Sequence, residues 1–487
     1  MKKQISILVL MISFYGFSQN ATNTYTKRVL ENTEVDLISS FYGQDGDNAA
    51  VTGGIGTEKL TDIASTITVS IPLNANDIFT IDATISAYSS ASSSNLNPFD
   101  ASGASRGGDD DDEEDDNKSA KKNVAGRVNG SPWVESSGAS KGDVWVNGDI
   151  GYSHSSENRN SIIGANVSFA KEFDYTSIGL GGNFTKLFNE KNTEIGLKAN
   201  IYMDSWQPAY PTEIISYKEV NNNLNDGFFE GVDILDQKGS IINKTGNTVW
   251  SPFNTSLVEN KSRNTYSASL SFSQILSKKA QISIFLDIVQ QNGWLANPMQ
   301  RVYFGDRANY YIGNASSISN YTSSKNTDVF QLADDIERLP DTRFKIPVGA
   351  RLNQYINENI AIRTYYRYYT DDWGMKSHTA SIELPIKFSL GKFTLYPNYR
   401  FYNQTASDYF APFESHLSSS DYYTSDYDLS KFNSHQYGLG FKYTDIFAKL
   451  KVFKFGLKSF DLRYSYYDRS DGLQASIVSA GIKFVMD

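Results

Sequence analysis

The chain has 487 residues, a formal net charge of −10 and no cysteine, and it is rich in aromatic residues, with 31 tyrosines and 29 phenylalanines. The lack of cysteine excludes disulfide bonds and thiolate metal sites. Because nucleic acid is bound by basic patches, the acidic balance argues against a nucleic-acid partner. We also predict no bound cofactor, since no cofactor motif stands out.

Residues 1–18 have the pattern of a secretory signal peptide. Lys2 and Lys3 precede an apolar run over residues 5–17, and we place the cleavage site ahead of Gln19. The run is too short for a membrane-spanning helix, and the basic start argues against a buried N-terminal helix. No cysteine follows it, which excludes a lipoprotein anchor. Loss of the two lysines changes the formal net charge from −10 to −12.

Alternating apolar and polar residues predict β-strands along most of the mature chain, because successive side chains of a strand point to opposite faces. The first three strands lie at residues 35–41, 67–71 and 79–87. The pattern then breaks over residues 89–142, a serine-rich and acidic insert that cannot bury a core and that we expect to be disordered or loosely ordered. Further strands are predicted around residues 143–153, 162–170, 177–186, 194–203, 266–272 and 282–288.

The alternation is most regular in residues 344–403, which contain four strands. In the first strand Phe344 and Val348 share one face, and Gly349 and Arg351 share the other. Each strand is about as long as the 9–11 residues that a tilted strand needs to cross a bilayer. The last predicted strands lie at residues 437–441, 460–466 and 478–484, which brings the count to sixteen.

The lengths of the connections also alternate along the chain. If both termini are periplasmic, every connection on that side is short except residues 444–457, and the four long inserts all fall on the other side. Short periplasmic turns, long external loops and an even strand number are typical of bacterial barrels. We therefore predict that residues 19–487 form an all-β, antiparallel transmembrane barrel of about sixteen strands in the outer membrane, with its apolar face towards lipid.

Basic residues are concentrated on the polar faces of the C-terminal strands. In a sixteen-stranded barrel the interior is wide enough for water, so these residues would line a lumen and favour anions. The alternative is that they pair with carboxylates of the wall or of an inserted loop. The pore-lining candidates are Arg351, Arg363, Arg367, Lys387, Arg400, Lys442 and Arg463, and Lys483 shares their polar face.

An acidic block lies in the insert between the third and fourth strands. It could enter the lumen as a plug or gate opposite the basic wall, or bind divalent cations at the cell surface. It lacks the spacing and glycine of a calcium loop, and most such runs are simply solvated. The block consists of Asp109, Asp110, Asp111, Asp112, Glu113, Glu114, Asp115 and Asp116.

A glycine-rich segment follows the first strand and has no strand period. Its glycines allow backbone shapes that other residues avoid, and its acidic and amide side chains can cap turns or ligate a cation. Neither the glycine spacing nor the context fits a dinucleotide fingerprint. The segment contains Gln44, Asp45, Gly46, Asp47, Asn48, Gly53, Gly54 and Gly56.

The phrase FYGQDGDNAAVTGGIGTEKLTD, which contains this segment, resembles the hallmark of an outer-membrane barrel family catalogued as domain of unknown function 3570. The resemblance spans essentially the whole mature chain. It implies an outer-membrane barrel without an established activity. It further implies gene neighbours that are thioredoxin-like or flavin-attaching proteins, and hence a redox-linked envelope system.

The four histidines do not form a convincing catalytic arrangement. His154 is expected at a turn and His416 in a loop, whereas His378 and His435 open strands that have another strand between them. None has a neighbouring serine and acid in the geometry that a hydrolase needs. We predict that the protein is not an enzyme.

Two functions remain open from the sequence. The first is a porin-like channel that passes small, and in one version anionic, solutes and is gated by its acidic loop. The second is a non-conducting barrel scaffold that docks periplasmic or surface envelope proteins.

Overall fold

The computed structural model describes residues 28–88, 143–208, 210–224, 226, 232–242, 250–253, 257, 260–323, 329–445 and 447–486. The predicted signal peptide, residues 1–18, and the insert at residues 89–142 with its acidic block lie outside the described residues.

Sixteen long strands form one antiparallel barrel, as the sequence predicted. Each strand pairs with its neighbours in chain order, and the first strand also pairs with the last, with Val35 opposite Phe484, so the barrel is closed. The strands are β1 (Glu34–Asp45), β2 (Leu60–Pro72), β3 (Asp77–Tyr88), β4 (Asp143–Ser155), β5 (Ser161–Lys171), β6 (Tyr175–Phe188), β7 (Thr193–Trp206), β8 (Lys261–Ser277), β9 (Ala280–Gly293), β10 (Thr342–Tyr355), β11 (Ala361–Asp371), β12 (Lys376–Glu383, continued by Ile386–Phe388), β13 (Phe393–Gln404), β14 (Phe432–Thr444), β15 (Phe455–Arg469) and β16 (Gln474–Met486).

The predicted apolar faces point outward. Val348 is 38% exposed, Tyr366 47% and Ile382 39%, although each lies within a long paired strand. Large apolar side chains are exposed in this way around the whole barrel, for example Ile85, Ile163 and Leu270. Because such a surface is unfavourable in water, it is the face of the barrel that contacts lipid.

The two ends of the barrel differ in the length of their connections. At one end, here called the turn end, β1 begins, β16 ends and the connections are short, from two residues at Lys278 and Lys279 to ten at residues 445–454. The other end, here called the loop end, carries the long connections, including residues 207–260, 294–341 and 405–431. The predicted asymmetry is confirmed.

One predicted strand is wrong in detail. The alternation of residues 380–388 suggested an uninterrupted strand, but β12 is broken at Leu384 and Pro385. Proline has no N–H to donate to the sheet ladder. The carbonyl oxygen of Pro385 instead accepts a hydrogen bond from the Ala361 N–H, 3.2 Å away, and the strand resumes at Ile386.

The loop end is covered by folded structure rather than by open polar loops. We call it the cap: the described parts of residues 46–59, 207–260, 294–341 and 405–431. Its sheets are small, and its buried apolar residues include Ile214, Ile234, Val302 and Phe304. Its elements are the helix Thr212–Glu219, the short strands Ile234–Leu235, Arg301–Val302, Tyr311–Gly313, Val329–Gln331 and Asp335–Ile336, and the 3-10 turns Ala50–Thr52, Ala315–Asn320 and Tyr427–Leu429.

Where the structure describes the chain, it contains no helix long and apolar enough to cross a membrane.

Candidate channel lumen

The interior of the barrel is divided into two halves along its axis. In the half nearest the loop end, inward side chains are buried beneath the cap, with Thr265 at 0% exposure, Ser377 at 1% and Gln404 at 3%. In the half nearest the turn end, inward side chains such as Lys198 and Arg351 are exposed. The cap therefore fills the loop half of the lumen, and the turn half is left accessible.

A largely buried arginine joins three of the loops that make the cap. Arg301 forms a bidentate pair with Glu213, at 2.7 Å and 3.0 Å, and donates to the carbonyl oxygen of Val51 at 2.9 Å. Burial alone would lower the pKa of Arg301, but the Glu213 carboxylate outweighs it and the pKa is raised. The guanidinium stays charged, and it ties residues 46–59, 207–260 and 294–341 together.

The glycine-rich segment is part of the packing of the cap. Gly53 and Gly54 have φ of 79° and 87°, a region that favours glycine. A Cβ on Gly53 would lie 2.6 Å from the Tyr303 ring, and one on Gly54 would lie 2.7 Å from the Ser425 carbonyl oxygen. These glycines let the segment approach two other loops closely.

The acidic and amide side chains of this segment have structural partners. The Asn48 amide donates to the Asp471 carbonyl oxygen at 2.7 Å, and Gln44 accepts from the Tyr42 hydroxyl at 2.8 Å. Asp45 lies 3.8 Å from Lys59 across the mouth of the same loop. Within the described residues, no group of three or more His, Asp or Glu side chains is placed to hold a metal ion.

Several carboxyl groups of the cap have raised pKa values, among them Glu337 and Asp334. Burial raises the pKa of Glu337 to about 8, and the nearby Asp426 carboxylate adds to the effect. Burial likewise raises the pKa of Asp334 to about 6, although the Phe304 N–H donates to it at 2.9 Å. Both groups carry an energetic cost when they ionise inside the packed cap.

Several members of the predicted basic wall are paired with carboxylates of the wall. Glu383 accepts from Arg363 at 2.8 Å and from Arg463 at 3.1 Å, and Arg463 also donates to Asp461 at 2.9 Å. Lys483 lies 2.7 Å from Glu34 and 2.9 Å from Asp36 across the seam that closes the barrel. The alternative weighed from the sequence, pairing within the wall, holds for these residues.

Three other candidates have no such partner in the part of the chain that the structure describes. Arg351, Arg400 and Lys442 form no ion pair there. Lys387 lines a small cavity of about 170 Å³ at the turn end, together with Arg363. Arg367 differs from all of these, because it is 4% exposed and lies in the loop half under the cap.

An acidic wall faces the basic one, and the sequence reasoning did not identify it. Its carboxylates lie on the inward faces of β1 to β9. The alternation that predicts these strands also places the carboxylates on the inward face, and this is the signal by which the sequence could have revealed them. Asp62 accepts from Ser86, Asp82 from Thr68, and Asp149 from Asn166. The members are Asp36, Asp62, Asp82, Asp149, Glu194 and Asp287.

Between these walls lies a cavity of about 960 Å³, here called the chamber. Hydroxyl and amide side chains of β5 to β9 line much of it, together with the charged residues Glu194, Lys198, Asp287 and Arg351. Asparagine side chains occupy the space beside glycines on neighbouring strands. A Cβ on Gly181 would lie only 2.1 Å from the Asn166 side-chain oxygen. The small residues therefore make room for the polar groups and widen the chamber.

The histidines lie apart from one another. His378 contacts the Tyr366 hydroxyl at 2.7 Å and His435 the Tyr399 hydroxyl at 2.8 Å, on the outward faces of β12 and β14. His416 is buried in the cap against the Thr424 carbonyl oxygen, and His154 lies beside Asp77 at the turn end.

A closed sixteen-strand barrel with an apolar outer face and a polar lumen defines a transmembrane β-barrel protein. The model of the family described as protein of unknown function, DUF3570, matches residues 7–482, and the chain belongs to this family. No curated protein matches the sequence.

Three solved structures with a similar fold are distant in sequence. A bacterial polysaccharide outer membrane secretin superposes with a TM-score of 0.40 and 8% identity, over 94% of this chain and 99% of that chain. OpdK from Pseudomonas aeruginosa superposes with a TM-score of 0.37 and 9% identity, over 94% of this chain and 99% of that chain. The Pseudomonas putida toluene transporter TodX superposes with a TM-score of 0.37 and 7% identity, over 94% of this chain and 90% of that chain. At these scores the likeness carries no argument about solutes or partners.

Proposed function

We propose that the protein is an outer-membrane, porin-like channel for small solutes, and that its external mouth is closed by the cap. The observation that carries this proposal is the chamber of about 960 Å³ in the turn half of the lumen, lined by charged and polar side chains. An accessible interior lined by charged and polar side chains is what a pathway for polar solutes requires.

The proposed orientation places the turn end in the periplasm and the cap outside. It is supported by the short connections at the turn end, which are typical of the periplasmic side of bacterial barrels. The acidic block, residues 109–116, is proposed as an additional plug or gate.

Conductance across a planar bilayer tests the proposal. The full-length protein should give discrete ion conductance, and deletion of residues 101–122 should increase it if the acidic block obstructs the lumen. Arg363→Glu should shift the reversal potential towards cation selectivity, because it reverses a charge that lines the turn end. Lys278→Glu, the same charge change in an exposed turn, is the control and should leave selectivity unchanged. If neither the full-length protein nor the variant lacking residues 101–122 conducts ions, the proposal is overturned.

The packing of the cap favours a second candidate, a closed barrel that docks envelope partners. The cap fills half of the lumen, so a barrel that never opens would show the same structure. The buried glycines of residues 46–59 would then shape a docking surface indirectly. Partners that co-purify with the wild type and are lost after Gly53→Ala would support this role, and recovery of the barrel alone would count against it.

A further inference from the structure

Four charged side chains face the chamber. Glu194, Lys198, Asp287 and Arg351 all line it, and within the described residues none of them is in an ion pair. Two are acids and two are bases. Each of these charges attracts a solute group of opposite charge, and charges that lie close together in one chamber act on the same solute.

Strand register fixes how these charges are spaced. Lys198 is opposite Ser269, which is opposite Asp287, so the two charges lie at one level on β7 and β9. Two inter-strand steps separate their Cα atoms by about 10 Å. Their side chains are held apart by a serine, which leaves room for a bridging solute.

A second pair lies nearer the turn end. Glu194, Ser273, Ser283 and Arg351 are opposite one another in turn, from β7 to β10. Three inter-strand steps correspond to about 14 Å between the outer Cα atoms. In the first pair the base lies on β7, whereas in the second pair the acid lies on β7. The chamber wall therefore alternates positive and negative charges instead of carrying one sign.

The base of the second pair is preorganised. The Arg351 guanidinium lies 5.7 Å from the Phe285 ring centroid and 5.4 Å from that of Tyr365, and the two rings stack on each other at 5.8 Å. Cation–π contact holds the planar group in place without using its N–H donors. These donors can then bind a carboxylate in a bidentate manner.

We propose that the chamber binds small zwitterions, of the size of an amino acid or a dipeptide. The solute carboxylate contacts Arg351 or Lys198, and its ammonium group contacts Asp287 or Glu194. A solute with a single charge satisfies one side of each pair and is opposed by the other. The chamber lies within the roughly 300–1,000 Å³ of typical small-molecule sites. This inference deepens the proposed function, because it names a solute class for the same lumen.

The test is isothermal titration of the full-length protein in detergent at pH 6.5 with four probes of similar shape. They are alanylalanine, its N-acetyl form (an anion), its amide (a cation) and the N-acetyl amide (neutral). Alanylalanine should bind more tightly than the other three. Arg351→Gln and Asp287→Asn should each weaken it by about tenfold or more, the usual effect of losing one charge-assisted hydrogen bond. Lys278→Gln, which removes an exposed charge outside the chamber, should leave the affinity unchanged.

The outcomes separate this inference from the proposed function. Heat-modifiable migration on a gel first shows that each variant is a folded barrel. Equal binding of the zwitterion and the anion, or no binding of any probe, would overturn the inference even if the protein conducts ions. An equal loss in Lys278→Gln would overturn the assignment to the chamber. Binding by a protein that never conducts would keep the inference and overturn the channel.

Discussion

Two residues of the glycine-rich segment show why its sequence is so unusual. Gly53 and Gly54 sit in left-handed backbone conformations against Tyr303 and Ser425. Any side chain there meets both backbone strain and a steric clash. The segment therefore reflects the tight packing of the cap, rather than a ligand that its glycines cradle.

Gly53→Ala should loosen the cap by about 1–3 kcal/mol, the cost of strain plus the displacement of the Tyr303 ring. Hydrogen exchange of peptides in residues 294–341 measures this change. Gly391→Ala is the matched control, because Gly391 has a φ of 80° but no atom within 4 Å of the added Cβ. If both variants exchange alike, the clash with Tyr303 has no energetic role.

Glu337 should make the cap weaker as the pH rises. Its pKa is raised from 4.5 to about 8 by burial and by Asp426, against hydrogen bonds from Thr424 and from the Asn297 N–H. Because the folded cap keeps a proton that the unfolded segment releases, stability is full below pH 4.5 and falls until about pH 8. Asp334 acts in the same direction.

Hydrogen exchange of cap peptides is measured in the wild type and in Glu337→Gln at the same pH. The ratio of the wild-type rate to the variant rate should rise by at least about tenfold between pH 5 and pH 8. The division removes the intrinsic pH dependence of exchange. A ratio that stays constant over this range would show that Glu337 does not titrate inside the cap.

At the scale of elements, the strands of the barrel were the part that could be predicted. Alternation along β10 and β11 reports the two-sided environment directly, since one face meets lipid and the other the lumen. The break at Pro385 could also have been predicted, because proline has no N–H to donate. The apolar alternation continues on both sides of it, however, and favoured an uninterrupted strand.

The cap could not be predicted in the same way. Its short strands, such as Ile234–Leu235 and Tyr311–Gly313, pair across long sequence distances and have no periodic pattern of their own. The one local signal was the presence of large aromatic residues, including Trp250 and Tyr423, in segments otherwise rich in polar residues. Such residues are costly to leave in water, and they indicate a buried core.

Arg301→Gln should destabilise the cap without unfolding the barrel. The change leaves the Glu213 carboxylate, 1% exposed, without its partner, and breaking a buried pair in this way typically costs about 3–5 kcal/mol. Faster hydrogen exchange in cap peptides, with the strands unaffected, is the expected result.

Two further variants interpret that result. Arg301→Gln combined with Glu213→Gln should recover part of the loss, because no buried charge is left unpaired. Arg363→Gln should change exchange little, since its pair with Glu383 is solvent-exposed and is worth about 1 kcal/mol or less. Exchange that is equally fast in Arg363→Gln would mean that the cap is not held by its buried pair.

At the scale of the whole molecule, the structure divides the lumen into an accessible chamber and a half closed by the cap. The basic wall of β10 to β16 was visible in the sequence, but the pairing of Lys483 with Glu34 depends on the closure that brings β1 against β16. Whether a given arginine is paired depends on neighbours such as Glu383, which contacts both β11 and β15.

Single-channel recording of the full-length protein and of Arg301→Gln, in the same bilayer, tests most directly whether the cap gates a solute pathway. We predict that the wild type is closed for most of the record, and that Arg301→Gln opens more often with the same unit conductance. The equal unit conductance is expected because the chamber itself is unchanged. Two silent records from proteins shown to be folded barrels would contradict the account.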